Sequence, residues 1–372
     1  MKETRIWIVA DRQYRGYERL RVKIMKISEL LQRIDYTVLQ GDLSEEITGI
    51  CHDNRMLQKG DAFICISGAR FDTHTMAGEL AKKAALLVVE KPVELDADCK
   101  TAVVQVASTR DIVAALAAAF YGYPSEKVVC IGITGSKGKT TCTHMMADIL
   151  RAAGYLTGTI GTNGAIMPAG CDHAVWGSDK YSCAPCNETP GYDCYELNNT
   201  TPDPMELQMY LAMMVKAGCT HVVLEVSSQG MKQKRVATVD FAYAVWTNIE
   251  TGDHIGPNEH KDFEEYLYCK AMLLNQSRRA YVNCDDRHLD AFMKYVTNMK
   301  LYPLQVILRD ILISGQSVDP SSMDPDALEI MKQIARTIKY GVMIVSSLPV
   351  LIMYPFVQKY FVKGVMIGSV KG

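Results

Sequence analysis

The chain has 372 residues, 48% of them hydrophobic and 22% charged, with a formal net charge of −2. That balance excludes a disordered chain and offers no basic footprint, so nucleic acid is not an expected partner. The length calls for two or three domains, and the twelve cysteines, scattered through ordinary strand and helix patterns, read as mostly reduced thiols of a cytoplasmic chain.

Met1–Lys23 carries Arg12, Arg15, Arg19, Arg21 and Lys23 without an apolar stretch, so it is not expected to be a signal peptide. Residues 1–24 read as an extension, and Met25 opens a helical pattern through Ile27, Leu30, Leu31 and Ile34. Residues 25–122 read as a small α/β domain. Its predicted elements are a strand Asp61–Ser67, a helix Thr75–Ala85, strands Leu86–Val89 and Ala102–Val106, and a helix capped by Ser108 that runs to about Tyr121. Residues 125–299 read as a second α/β domain. Apolar strands at Lys127–Thr134, His221–Val226, Phe241–Thr247 and Ala280–Asn283 alternate with helical patterns, which predicts a mostly parallel sheet covered on both faces. Between them, about Ala165 to Asn199 reads as a long polar surface loop. Cys183 and Cys186, with Cys171 and Cys194 nearby, permit a zinc site there, but the second close cysteine pair of a typical site is missing.

From Leu301 the character changes. Tyr340–Gln358 is nineteen residues without a charge, long enough to span a bilayer or to form a buried helix. Lys359, Lys363 and Lys371 follow, an arrangement that favours a cytoplasmic C-terminus if the segment spans.

Ile131–Thr141 reads IGITGSKGKTT between an apolar strand and a helix. Glycines there let backbone N–H groups approach a phosphate, and the helix N-terminus adds a favourable dipole. Gly135, Ser136, Lys137, Gly138, Lys139, Thr140 and Thr141 are therefore candidate ATP-binding residues, with Lys139 on the β/γ-phosphates and the Thr140 hydroxyl on Mg²⁺. The position five residues before Gly138 is Ile133 rather than the glycine of the general phosphate-loop pattern.

That loop resembles the ATP-binding loop of the Mur ligases, which have the folylpolyglutamate synthases as cousins. HDNR (His52–Arg55) followed by KGDAFICISGARFD (Lys59–Asp72) is similar to the family's uridine-nucleotide-binding N-terminal domain. NNTTPDP (Asn198–Pro204), EVSSQG (Glu225–Gly230, with Gln229 where the family usually has His), Arg235, TNIETGDHIGPNEH (Thr247–His260), Lys270 and VNCDD (Val282–Asp286) follow in family order. The resemblance covers residues 25–298 and implies an α/β fold: a small uridine-binding domain and a truncated phosphate-loop domain. It implies an ATP-dependent, cytoplasmic ligase of peptidoglycan-precursor synthesis, with ATP and Mg²⁺ as cofactors. The TTP and EVSS segments favour the branch that adds the third residue to UDP-N-acetylmuramoyl-dipeptide, so that nucleotide and an amino acid are the implied partners.

By the same resemblance, Asn54, Arg55, Thr200, Thr201, Ser227 and Arg235 contact the muramoyl substrate and Asn283 and Asp285 meet the adenine. Glu225, His254 and a carbamylated Lys270 join Thr140 at metal, with Lys139, Lys270 and His254 in catalytic roles. Read without the family, His254 is equally a loop histidine, Lys270 a solvated lysine, Thr200 and Thr201 a cap for the helix from Pro204, and Asn283 and Asp285 ordinary turn residues. Residues 301–372 resemble instead the C-terminal end of sugar-type ABC transporter permeases, with one possible membrane span, and the family's amino-acid-binding third domain is not found. The expectation is a fusion whose ligase part is impaired; the alternative is a permease fragment carrying a ligase-derived passenger.

Overall fold

The computed structural model describes residues 24–297, except 69–70, 170–182, 187–188, 253 and 258, and the described residues fall in one compact unit. The tail from residue 298, with the permease-like segment and Tyr340–Gln358, lies outside the described residues, as do residues 1–23. Among the described residues no helix is long and apolar enough to cross a membrane.

The first half is built from β1 (Met25–Lys26), α1 (Ile27–Leu30), β2 (Thr37–Gln40), β3 (Glu46–Ile47), β4 (Gly49–Cys51), β5 (Asp61–Ile64), α2 (Ala77–Ala81), β6 (Leu86–Val89), β7 (Ala102–Gln105) and α3 (Thr109–Phe120). Its five-stranded sheet has the order β2-β7-β6-β5-β4, parallel except for β2. β5 and β6 are buried along their whole length, as their unbroken apolar runs demand of central parallel strands. Ser108 caps α3 as expected, its hydroxyl accepting from the Asp111 N–H.

Two expectations fail here. The helix pattern from Met25 gives only the four-residue α1, because Met25 and Lys26 pair with Ile47 and Glu46 as a strand. The Thr75–Ala85 helix shortens to a 3₁₀ turn at Thr73–Met76 and the five-residue α2. Asp72 starts that turn by accepting from the His74 N–H, which sets a tighter winding than the alanine-rich composition alone predicts.

The second half follows as β8 (Val129–Thr134), α4 (Lys139–Ala152), β9 (Thr157–Gly161), β10 (Gly164–Pro168), β11 (Cys183–Pro185), β12 (Tyr192–Tyr195), α5 (Pro204–Lys216), β13 (His221–Glu225), α6 (Ser228–Lys232), β14 (Phe241–Trp246), α7 (Phe263–Gln276), β15 (Ser277–Val282) and α8 (Leu289–Met293). The eight-stranded sheet runs β11-β12-β10-β9-β13-β8-β14-β15. Its five strands from β9 to β15 are mutually parallel, and β10, β12 and β11 continue it antiparallel.

That continuation corrects the surface-loop reading of Ala165–Asn199. Ala165, Ile166, Met167 and Tyr195 are buried, and Gly164, with φ of +106°, makes the turn that returns the chain beside β9. Three-residue apolar stretches between polar ones are too short to reveal a strand by periodicity. Phe292 stacks on Trp246 at 4.1 Å between ring centroids, which fixes α8 against β14. The two halves meet where α3 packs on α5, with the Thr238 hydroxyl donating to the Ala114 carbonyl at 3.1 Å.

Candidate functional site

The loop between β8 and α4 lies at the C-terminal edge of the parallel strands, the edge at which open α/β sheets bind their ligands. Gly138 precedes α4 in a left-handed conformation (φ +81°), and no side chain caps the helix. Its first turn therefore presents the positive end of the helix dipole with its backbone N–H groups uncapped by a side chain.

The loop is laced to the end of β14. The Ser136 N–H donates to the Asn248 carbonyl and the Lys137 N–H to the Asn248 side-chain oxygen, each at 2.9 Å. The Thr247 hydroxyl donates to the Lys137 carbonyl at 2.8 Å. Gly135 has φ of +152°, and a Cβ there falls 2.0 Å from the Thr247 Oγ1, so both conformation and space require glycine. Lys139 folds back over the loop, donating to the carbonyls of Gly135 at 2.8 Å and Ser136 at 3.1 Å. Thr141 is exposed on the first turn of α4.

Glu225, at the end of β13, is 2% exposed. Its Oε2 accepts from the Thr140 hydroxyl at 2.9 Å and the Thr162 hydroxyl at 3.2 Å, and its Oε1 accepts from the Thr162 N–H at 3.1 Å. Gly161 permits this seat, since a Cβ there falls 2.2 Å from Oε1. Two hard oxygen donors, Thr140 and Glu225, thus meet beside the phosphate loop, a donor pair suited to Mg²⁺. Among the described residues there is no group of three or more His, Cys, Asp or Glu placed to hold a metal. Cys171 lies outside the described residues, and the Cys194 thiol donates to the Asn163 carbonyl.

The predicted substrate segments converge on the same edge. Thr162 and Thr200 hydroxyls meet at 3.1 Å. The Thr201 hydroxyl is buried between the Glu225 carbonyl at 3.0 Å, the Ser227 hydroxyl at 3.1 Å and the Ser227 N–H at 2.9 Å. Neither threonine caps α5; Asp203 does, accepting from the Met205 N–H. The Ser227 hydroxyl caps α6 through the Gly230 N–H. Arg235 donates to the Thr201 carbonyl at 2.6 Å and grips Gln233, and partial burial lowers its guanidinium pKa. From the first half, His52 Nε2 lies 3.7 Å from Asp203, so the HDNR loop reaches the TTPDP segment. Asn54 is exposed and donates to the Met76 sulfur, while Arg55, 83% exposed, pairs with Asp53 at 2.6 Å.

Lys270 is not a solvated lysine. It is 1% exposed on α7, with its Nζ donating to the Gly135 carbonyl at 2.8 Å and lying 4.7 Å from the Tyr266 ring centroid. His254 has φ of +58° and sits 3.4 Å from Glu259, so it is not brought onto Glu225 or Thr140. Asn283 donates to the Thr247 carbonyl at 2.8 Å, and its own side-chain oxygen accepts from the Asp285 N–H. Both therefore lie where β14 and β15 end, one step from the loop.

The sequence reading missed Tyr266, Ser136 as a side chain, Asn248, Thr162 and His260. His260 is fully buried with no hydrogen bond on either ring nitrogen, and burial, ahead of the nearby Lys232, lowers its pKa. Thr162 lies in the turn between β9 and β10, just before the Ala165–Asn199 stretch that reads as loop.

Residues 133–306 match the family described as the Mur ligase middle domain. The chain is similar to the UDP-N-acetylmuramoyl-L-alanyl-D-glutamate--2,6-diaminopimelate ligase of Clostridium perfringens, 33% identical over 263 residues, which cover 70% of this chain and 49% of that one. It is also similar to the ligase of the same name from Bacillus cereus, 35% identical over 281 residues, covering 73% and 51% respectively. A solved structure of a ligase of that name superposes with a TM-score of 0.55 at 22% identity, over 74% of this chain and 50% of the other. The chain spans about half the length of the curated relatives it matches.

Proposed function

The chain belongs to the Mur ligase family, and on that premise we propose that it carries the nucleotide and phosphoryl-transfer half of an ATP-dependent ligase. The reaction adds the third residue to UDP-N-acetylmuramoyl-dipeptide. The observation that carries this reading is the Thr140–Glu225 contact, which joins the phosphate loop to the EVSS segment at 2.9 Å.

The substrate carboxylate attacks the γ-phosphate of ATP, breaking its bond to ADP and giving an acyl phosphate, and the amine of the incoming amino acid then displaces phosphate to form the amide. Two anions must approach, so positive charge has to be in place beforehand. Lys139 supplies it by exchanging its two loop carbonyls for phosphate oxygens, and the first turn of α4 adds its N–H groups. The Thr140 hydroxyl and the Glu225 carboxylate would hold Mg²⁺, which would supply further positive charge at the phosphates. Asn283 and Asp285 take the adenine. Thr200, Thr201, Ser227 and Arg235 orient the muramoyl peptide, with Asn54 and Arg55 on its uridine end.

Lys270 as an amine cannot ligate a cation. Addition of CO2 to its Nζ, with loss of a proton, would give a carbamate oxygen donor that with His254 would hold a second ion.

The test is to trap the acyl phosphate with hydroxylamine in a mixture of full-length chain, Mg-ATP and UDP-N-acetylmuramoyl-dipeptide. A hydroxamate that requires all three supports the reading even where turnover with diaminopimelate or lysine is slow. A chain that binds Mg-ATP yet gives neither hydroxamate nor turnover overturns it.

A further inference from the structure

Tyr266 is fully buried on α7, one helical turn before Lys270. Its hydroxyl meets the Ser136 hydroxyl of the phosphate loop at 2.8 Å, and Ser136 Oγ also accepts the Glu250 N–H at 2.8 Å. Its ring is a shared surface. The Lys270 Nζ lies 4.7 Å from the ring centroid, the His260 ring 5.4 Å and the His254 ring 5.9 Å. The His260 N–H in turn donates to the His254 carbonyl at 3.0 Å, holding the His254 backbone in its left-handed conformation against that ring.

We propose that Tyr266 is a positioning residue that sets the phosphate loop, through Ser136, in register with the Lys270 and His254 end of the site. The inference rests on the reading of the loop as a nucleotide site. A polar hydroxyl on an otherwise apolar platform divides the two duties cleanly. The hydroxyl fixes the loop, and the ring face fixes Lys270 and the two histidines. Ser136 also has its backbone N–H committed to Asn248, so its side chain cannot follow a displaced partner without breaking the loop's lacing.

The substitutions Tyr266→Phe and Ser136→Ala, alone and together, test the first duty in the full chain, with ADP as the probe and calorimetry as the readout. A buried hydrogen bond of this kind corresponds to roughly 2- to 12-fold in affinity. ADP binding should weaken by at least that factor in each single variant, and the double variant should be no weaker than Ser136→Ala, because that substitution already removes the Tyr266 contact together with the one from the Glu250 N–H. Singles that bind ADP like the parent, or losses that multiply in the double variant, overturn the connection through Ser136. Tyr266→Leu tests the platform. It should also lose the gain in ADP affinity that Mg²⁺ gives the parent, whereas Tyr266→Phe keeps that gain. If Tyr266→Leu does not fold, Tyr266→Met, which also removes the ring, is read by the same criterion. A parent chain that binds no ADP at all instead removes the nucleotide reading, and this inference with it.

Discussion

Gly135→Ala is the sharpest structural perturbation of the site. A methyl group there meets Thr247 Oγ1 at 2.0 Å and the Asn248 carbonyl at 3.1 Å. The threonine cannot swing aside freely, because its hydroxyl already donates to the Lys137 carbonyl at 2.8 Å. The backbone must also hold a positive φ that an L side chain disfavours, at roughly 1–3 kcal/mol. Losing the Thr247 bond adds about 1 kcal/mol. Relief comes by moving the Gly135 carbonyl, the shared acceptor of Lys139 and Lys270, so the cost falls on the phosphate site rather than being spread over the fold. About 2–4 kcal/mol corresponds to a loss of roughly 30- to 1000-fold in ADP affinity. Calorimetric ADP titration of the full chain, with a thermal melt alongside, reads both contributions. A variant that binds ADP within twofold of the parent and melts at the same temperature refutes the account of why glycine is needed here.

Thr201→Val keeps the shape of the side chain but leaves the Ser227 N–H and the Glu225 carbonyl without their shared hydroxyl. We expect a loss of about 1–3 kcal/mol in unfolding free energy by urea titration, and a raised KM for the muramoyl nucleotide with little change in the Kd for ADP. Glu265, held by Lys232 at 2.9 Å and by the Lys261 N–H at 2.8 Å, has its carboxyl pKa pushed down to about 2 from an ordinary 4.5. A lowered folded-state value means that this clamp between α6 and α7 contributes fully above about pH 4.5. Its contribution is lost as pH falls towards 2. A side-chain NMR titration should show the low midpoint, rising in Lys232→Met; an ordinary midpoint in the parent contradicts the clamp.

The phosphate loop was the most legible part of the site, because strand, glycines, lysine and helix start are local in sequence and each has a separate physical reason. Thr201, Glu225, Ser227 and Arg235 are named in the sequence by resemblance alone, and the structure links them through the Thr201 hydroxyl and carbonyl. What pattern could not supply was burial across the fold. Lys270 looks like any helix lysine until α7 packs it against Gly135, and nothing local marks Tyr266, whose hydroxyl partner is 130 residues away. The β10–β12 region reads as loop because its strands are only three to five residues long and β10 and β11 contain proline, and they become evident only as they add in turn to the β9 edge. Asn54 and Arg55 are placed on an exposed turn, and their assignment still rests on the HDNR resemblance.

The central claim is that Ile131–Thr141 is a working phosphate loop. Its most direct test is calorimetric titration of Mg-ATP into the full chain and into Lys139→Ala, whose truncated side chain cannot reach a phosphate. The account predicts saturable binding by the parent and at least a tenfold loss in the variant, given that hydrogen bonds to a charged partner are worth roughly 1.5–3 kcal/mol. Equal binding by both, or none by either when both are folded, contradicts it.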